Sequence, residues 1–133
     1  MTHSVLIVSE ELSFLLQCYS GLHRDKRIGQ VEATTSREEA AVLIQSLHPD
    51  AVVFDSSAGD SFGVAAIERL RALAPNTKVV VTFRPREQES TERSARSHGA
   101  MGVLSREAFS AEALVRIMRG QPDPDRQSVA APA

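Results

Sequence analysis

The chain has 133 residues, enough for one domain with a genuine core and too few for two. Its 15 basic and 17 acidic residues leave a formal charge of −2, with no basic excess to suit a nucleic-acid surface. Cys18 is the only cysteine, which excludes a disulfide framework and a cysteine-based metal site, and no apolar run reaches membrane-spanning length or forms a signal peptide, so a cytoplasmic protein is expected.

Val5-Leu6-Ile7-Val8 is a continuous β-branched and apolar run, the mark of a buried central strand, and it ends in Ser9-Glu10-Glu11. Leu12, Leu15, Leu16, Tyr19 and Leu22 then recur at helical spacing, with Ser9 placed to cap that helix or its lead-in turn. Ile28, Val31 and Ala33 alternate loosely, as in a short edge strand. Ser36-Arg37-Glu38-Glu39 is a capping box opening a second helix, whose Ala40, Val42 or Leu43, and Leu47 are expected to face inward until Pro49 closes it.

Ala51-Val52-Val53-Phe54 is the third strand, covered on both faces, and Asp55 ends it before a loop rich in serine and glycine. Val64, Ile67, Leu70, Leu73 and Ala74 mark the third helix, and Val79-Val80-Val81 the fourth strand, ending at Thr82-Phe83. A fourth helix over Ser90 to His98 has Ala95 as its one aliphatic residue, so little apolar area holds it down and it is the expected mobile element. Gly99 to Leu104 gives the fifth strand, followed by Ser105-Arg106. Ala113, Leu114, Ile117 and Met118 form the stripe of the last helix, which Gly120 stops. The domain is expected over 1–120. Residues 121–133, QPDPDRQSVAAPA, read as a disordered tail or a linker stub.

Strand and helix alternating five times predict an α/β fold, a single doubly wound, flavodoxin-like sheet of five parallel strands in the order 2-1-3-4-5 with five helices. That order brings the strand ends Ser9-Glu10, Asp55, Thr82 and Arg106 to one rim, at the switch point where such sheets bind ligands. Two neighbouring carboxylates repel and call for a cation. Glu10 and Asp55 therefore invite either Mg²⁺, which takes a few oxygen ligands and shares its shell with phosphate, or Arg106 in a direct salt bridge. With Mg²⁺ on Glu10 and Asp55, an oxygen of Asp55 can attack a phosphoryl donor, and Thr82 and Arg106 can hold the new phosphate oxygens. The histidines at 3, 23, 48 and 98 show no metal spacing, and no glycine-rich phosphate loop is present, so the chain is not expected to be an independent enzyme.

On these residues the chain resembles the receiver domain of bacterial two-component response regulators. The likeness covers residues 4 to 120 and is carried by VLIVSEE, by PDAVVFD with Gly63 eight residues after the aspartate, by KVVV, and by GAMGVLSREAFS. It implies a phosphorelay switch in which a histidine kinase or other phosphodonor phosphorylates Asp55 with Mg²⁺ bound at Glu10 and Asp55. The same likeness exposes departures. Ser9 stands where the family has the first of two acidic residues, and a shifted turn would present Glu11 in place of Glu10. Arg106 replaces a lysine, and the hydroxyl ending the fourth strand falls by spacing on Phe83, so that Thr82 replaces it only if the strand end slips. Val103 replaces an aromatic, and Ala58 and Gly59 a methionine and a proline.

Two readings follow. In one, Asp55 accepts phosphate within a degenerate site; in the other, the chain is a phosphorylation-independent pseudo-receiver that acts as a protein–protein interaction module. A direct pairing of Arg106 with the acidic cleft would imitate a locked state. The expected partners are a protein target or an output domain beyond the tail, without direct nucleic-acid or membrane binding. A homodimer through the charged fourth and fifth helices (Glu92, Arg93 and Arg96; Glu112, Arg116 and Arg119) is the further expectation.

Overall fold

The apolar runs at residues 5–8, 51–54 and 79–81 each become a strand. The computed structural model describes residues 2–55, 62–84 and 99–121, with the backbone alone for 62–66. In order they form β1 (His3–Val8), α1 (Leu12–His23), β2 (Ile28–Thr34), α2 (Arg37–Leu47), β3 (Ala51–Asp55), α3 (Phe62–Leu73), β4 (Lys78–Phe83), β5 (Gly102–Ser105) and the last helix, α4 (Ala111–Met118). The strands are all parallel and lie in the order β2-β1-β3-β4-β5, the expected flavodoxin-like arrangement. The helix expected over Ser90 to His98, the loop at Ala58 and Gly59, and the tail from residue 122 lie outside the described residues.

Because successive strand residues point to opposite faces, each central strand feeds two cores. Val5, Ile7, Val53, Val80 and Leu104 pack with α1 and α4 on one face. Leu6, Val8, Val52, Phe54, Val79 and Val81 pack with α2 and α3 on the other. The helix faces differ in part from the sequence pattern. α1 buries Phe14, Leu15, Cys18 and Leu22 and leaves Leu12, Leu16 and Tyr19 outside, because its apolar residues span a wider arc than one sheet face can cover. α2 buries Ala40 and Ile44 while Val42 is 62% exposed.

Local chemistry sets the helix ends. Ser36 accepts the Glu39 N–H at 3.1 Å at the start of α2, and the left-handed His48 (φ 48°) ends it before Pro49. Ser110 caps α4 by accepting the Ala113 N–H at 3.0 Å. At its other end Gly120 (φ 74°) donates to the Ile117 carbonyl and Gln121 to that of Arg116, a Schellman closure, while Lys78 donates to the Met118 carbonyl.

Cys18 lies in the core between α1 and the sheet, and burial pushes its thiol up to about 12. A native sample at about pH 8 is therefore expected to resist a thiol reagent that labels the unfolded chain within seconds, since only the thiolate reacts. Rapid labelling under native conditions would contradict that burial.

The turn into β2 carries an ionic clamp. The Asp25 carboxylate accepts the backbone N–H of Arg27 at 2.9 Å and its guanidinium at 2.9 and 2.7 Å, and Arg27 reaches on to Glu112 of α4 at 2.7 Å. Glu112 also accepts from Arg116 at 3.2 Å, so much of the charged face of α4 is neutralised within the chain. Hydrogen bonding to Arg27 holds the Asp25 carboxyl at about 2. A carboxyl lowered in the folded state stabilises above its unfolded value of about 4 and loses that contribution as pH falls toward the folded value. Thermal melts between about pH 4 and about pH 2 are accordingly expected to fall more gently in Asp25→Asn, from a lower neutral value, than in the wild type.

Candidate functional site

Asp55 ends β3 at the carboxyl rim of the sheet, and only 3% of it is exposed. A buried carboxylate must find donors, and the neighbouring strands supply them. From β4 comes Thr82, the register partner of Asp55, whose hydroxyl donates to Oδ1 at 2.7 Å. Just past β1, the buried Ser9 donates to Oδ2 at 2.9 Å. Arg106, in the turn after β5, completes the set with a fork: Nε donates to Oδ1 at 2.9 Å and Nη2 to Oδ2. Each oxygen thus accepts one hydroxyl and one guanidinium N–H.

The guanidinium is itself held from three sides. Its carbon lies 4.8 Å from the centre of the Phe14 ring, which meets Phe109 edge-on, and Nη1 donates to Glu11 Oε2 at 2.6 Å. Arg84, next after β4, donates to the same Glu11 oxygen at 2.9 Å. Hydrogen bonds from Arg106 first, then Arg84, lower the Glu11 carboxyl below the usual range. Burial disfavours the Arg106 charge, and its bonds to Asp55 and Glu11 outweigh that, so its pKa is raised.

Of the residues singled out from the sequence, Asp55, Thr82 and Arg106 meet. Glu10 does not join them: its side chain is 56% exposed and lies 3.8 Å from Arg37. The turn presents Glu11 instead: the Ser9 hydroxyl accepts the Glu11 N–H at 3.1 Å, and α1 begins at Leu12 with Glu11 at its N-cap position. Nor does Thr82 need a strand slip. The β3–β4 register sets it beside Asp55 on the α1 side, while Phe83 is buried with Val103 on the opposite face. Sequence reasoning missed Phe14 as the platform for Arg106 and Arg84 as the second partner of Glu11. The one available signal was that an arginine, unlike a lysine, wants a flat surface and a fork-shaped acceptor.

The donor set does not suit Mg²⁺ as arranged. Both Asp55 oxygens are committed, Glu11 is held by two arginines, and among the described residues no group of three or more His, Cys, Asp or Glu side chains is placed to share a metal. Arg106 occupies the role of the neutralising cation.

Residues 5–119 match the response regulator receiver domain family. The chain belongs to that family. Solved receiver structures share its fold. A two-component response regulator of the LuxR family from Aurantimonas sp. SI85-9A1 is 20% identical, with a TM-score of 0.80 over 98% of this chain and 96% of that one. A response regulator from Thermotoga maritima is 22% identical, at 0.75 over 90% and 99%. A response regulator protein from Burkholderia pseudomallei, solved with a phosphorylated aspartic acid, a calcium ion and citrate, is 19% identical, at 0.73 over 97% of this chain and 71% of that one. No curated protein matches the sequence. Among the described residues of this receiver domain, no helix is long and apolar enough to cross a membrane.

Proposed function

We propose that this receiver domain is a phosphorylation-independent module, in which Arg106 holds Asp55 in one state and the folded surface binds a protein partner. One observation carries the reading: both Asp55 oxygens are buried and doubly engaged, each accepting one hydroxyl and one prong of the Arg106 guanidinium. Attack on phosphorus needs a free oxygen lone pair and a cation shared with the incoming group. Here the lone pairs are donated to, and the charges of Asp55 and Glu11 are already balanced by Arg106 and Arg84. On this reading Mg²⁺ and a histidine kinase are dispensable, and the chain turns over no substrate.

A specific feature favours the alternative, in which Asp55 is a phospho-acceptor. The Thr82 hydroxyl and Arg106 are the groups that would bind phosphate oxygens, and both already converge on Asp55. The Burkholderia relative carries its phosphorylated aspartic acid in the same fold. Incubation with Mg²⁺ and a small phosphodonor, followed by intact-mass analysis, separates the two. No added phosphate is expected, although the same sample remains folded. One phosphate on the wild type that is absent in Asp55→Asn would establish the phospho-acceptor instead.

A further inference from the structure

α1 presents apolar residues on two faces. One is buried against the sheet; on the other, Leu12, Leu16 and Tyr19 are 58%, 55% and 36% exposed, and the Tyr19 ring stacks on His23 with centroids 5.6 Å apart. These four follow one another at spacings of four, three and four residues, the seam of a helix that packs lengthwise on another helix. At 100° per residue the seam is turned about 115° from the buried face. It lies on the flank away from Phe14, which leads to Phe109 and the start of α4. No described element covers it.

We infer that the occupant is a second copy of α1, packed antiparallel about a two-fold axis between Leu16 and Tyr19. Around that axis Leu16 meets the partner's Tyr19, and Leu12 lies against the flat ring of the partner's His23, itself stacked on Tyr19. The ends match as well. Glu10, exposed just before the helix, comes against the Arg24-Asp25-Lys26 turn of the partner subunit, where Asp25 is already paired with Arg27 and the two remaining charges are positive, and the reverse pairing repeats at the other end. The helix dipoles oppose as well. Such self-complementarity is what an isologous interface requires, whereas a foreign helix of uniform charge would suit one end and repel the other. The seam holds three large side chains per copy, well short of the ~800 Å² per partner of a tight complex, so the dimer is a weak one that forms at high concentration. This interface differs from the one expected through the charged fourth and fifth helices, and it does not depend on the state of Asp55.

Sedimentation equilibrium from about 10 to about 500 µM tests it, a range that spans weak association. The weight-average mass of the wild type is expected to climb from the monomer value of 14.4 kDa toward twice that. Val42→Glu, a charge on an exposed apolar residue away from the seam, should follow the same curve. Leu16→Glu should stay monomeric with an unchanged thermal midpoint, because the residue is exposed in the monomer. Glu10→Lys should move the association midpoint about fivefold higher in concentration, by about 1 kcal/mol of lost charge pairing. A wild type that stays monomeric throughout, whether because residues 122–133 or another protein fills the seam, overturns the proposal. So does a Leu16→Glu protein that associates like the wild type, or a Glu10→Lys midpoint that does not move.

Discussion

Arg106→Ala is expected to destabilise the domain by about 3 kcal/mol, a large share of the total stability of a domain of this size. The reason is what remains rather than what is removed. Asp55 is 3% exposed, and without the guanidinium it keeps two hydroxyl donors for a full negative charge in a site that water barely reaches. Glu11 would keep Arg84 as its partner at a position already 43% exposed. In urea the midpoint should fall by about 1–2 M with little change in slope. The double variant Asp55→Asn with Arg106→Met should recover most of that loss. The neutral amide can accept from Thr82 and donate to Ser9, while methionine retains much of the packing over Phe14. A double variant no more stable than Arg106→Ala would mean that relieving the unpaired charge of Asp55 recovers nothing, and the proposed locking role would fall.

The second large effect is a gain. On the proposed reading, Ser9→Asp combined with Arg106→Lys is expected to let the chain accept one phosphate where the wild type accepts none. Lysine supplies a point charge with a single contact where arginine forks, which frees one Asp55 oxygen. The aspartate introduced at position 9 sets a second carboxylate against the first, in a site that then favours a divalent cation. Two readouts follow. Mg²⁺ at saturating concentration should raise the thermal midpoint of the double variant by about 5 °C and leave the wild type unmoved. Intact mass after treatment with a small phosphodonor should show one phosphate in the double variant alone. A folded double variant that binds Mg²⁺ yet stays unphosphorylated would show that Ser9 and Arg106 are not what silences Asp55.

Much of the architecture was legible in the chain. Unbroken runs such as Val5 to Val8 and Ala51 to Phe54 can be satisfied only by strands with helices on both faces, and alternation with helices then forces parallel pairing. The helix faces were less legible. On α1, Leu12, Leu16 and Tyr19 satisfy helical periodicity as well as Leu15 and Leu22 do, and periodicity does not say which arc meets the sheet. The site divides the same way. Asp55, Thr82 and Arg106 could be named because topology brings the carboxyl ends of parallel strands to one rim.

By itself the sequence determined the strand order and the rim on which the polar residues gather, because these follow from hydrophobic pattern and chain connectivity, while its motifs carried the family resemblance. Tertiary structure decided the rest. Whether Glu10 or Glu11 enters the cleft depends on one hydrogen bond from the Glu11 amide to the Ser9 hydroxyl. Whether Thr82 or Phe83 faces Asp55 depends on the register of β3 against β4, where a shift of one residue reverses every side chain. Whether Arg106 forks Asp55 or turns to water depends on Phe14 beneath it, fourteen residues into the chain and on a different element. Such contacts join residues far apart in sequence at a precision of about one ångström, finer than any periodicity encodes.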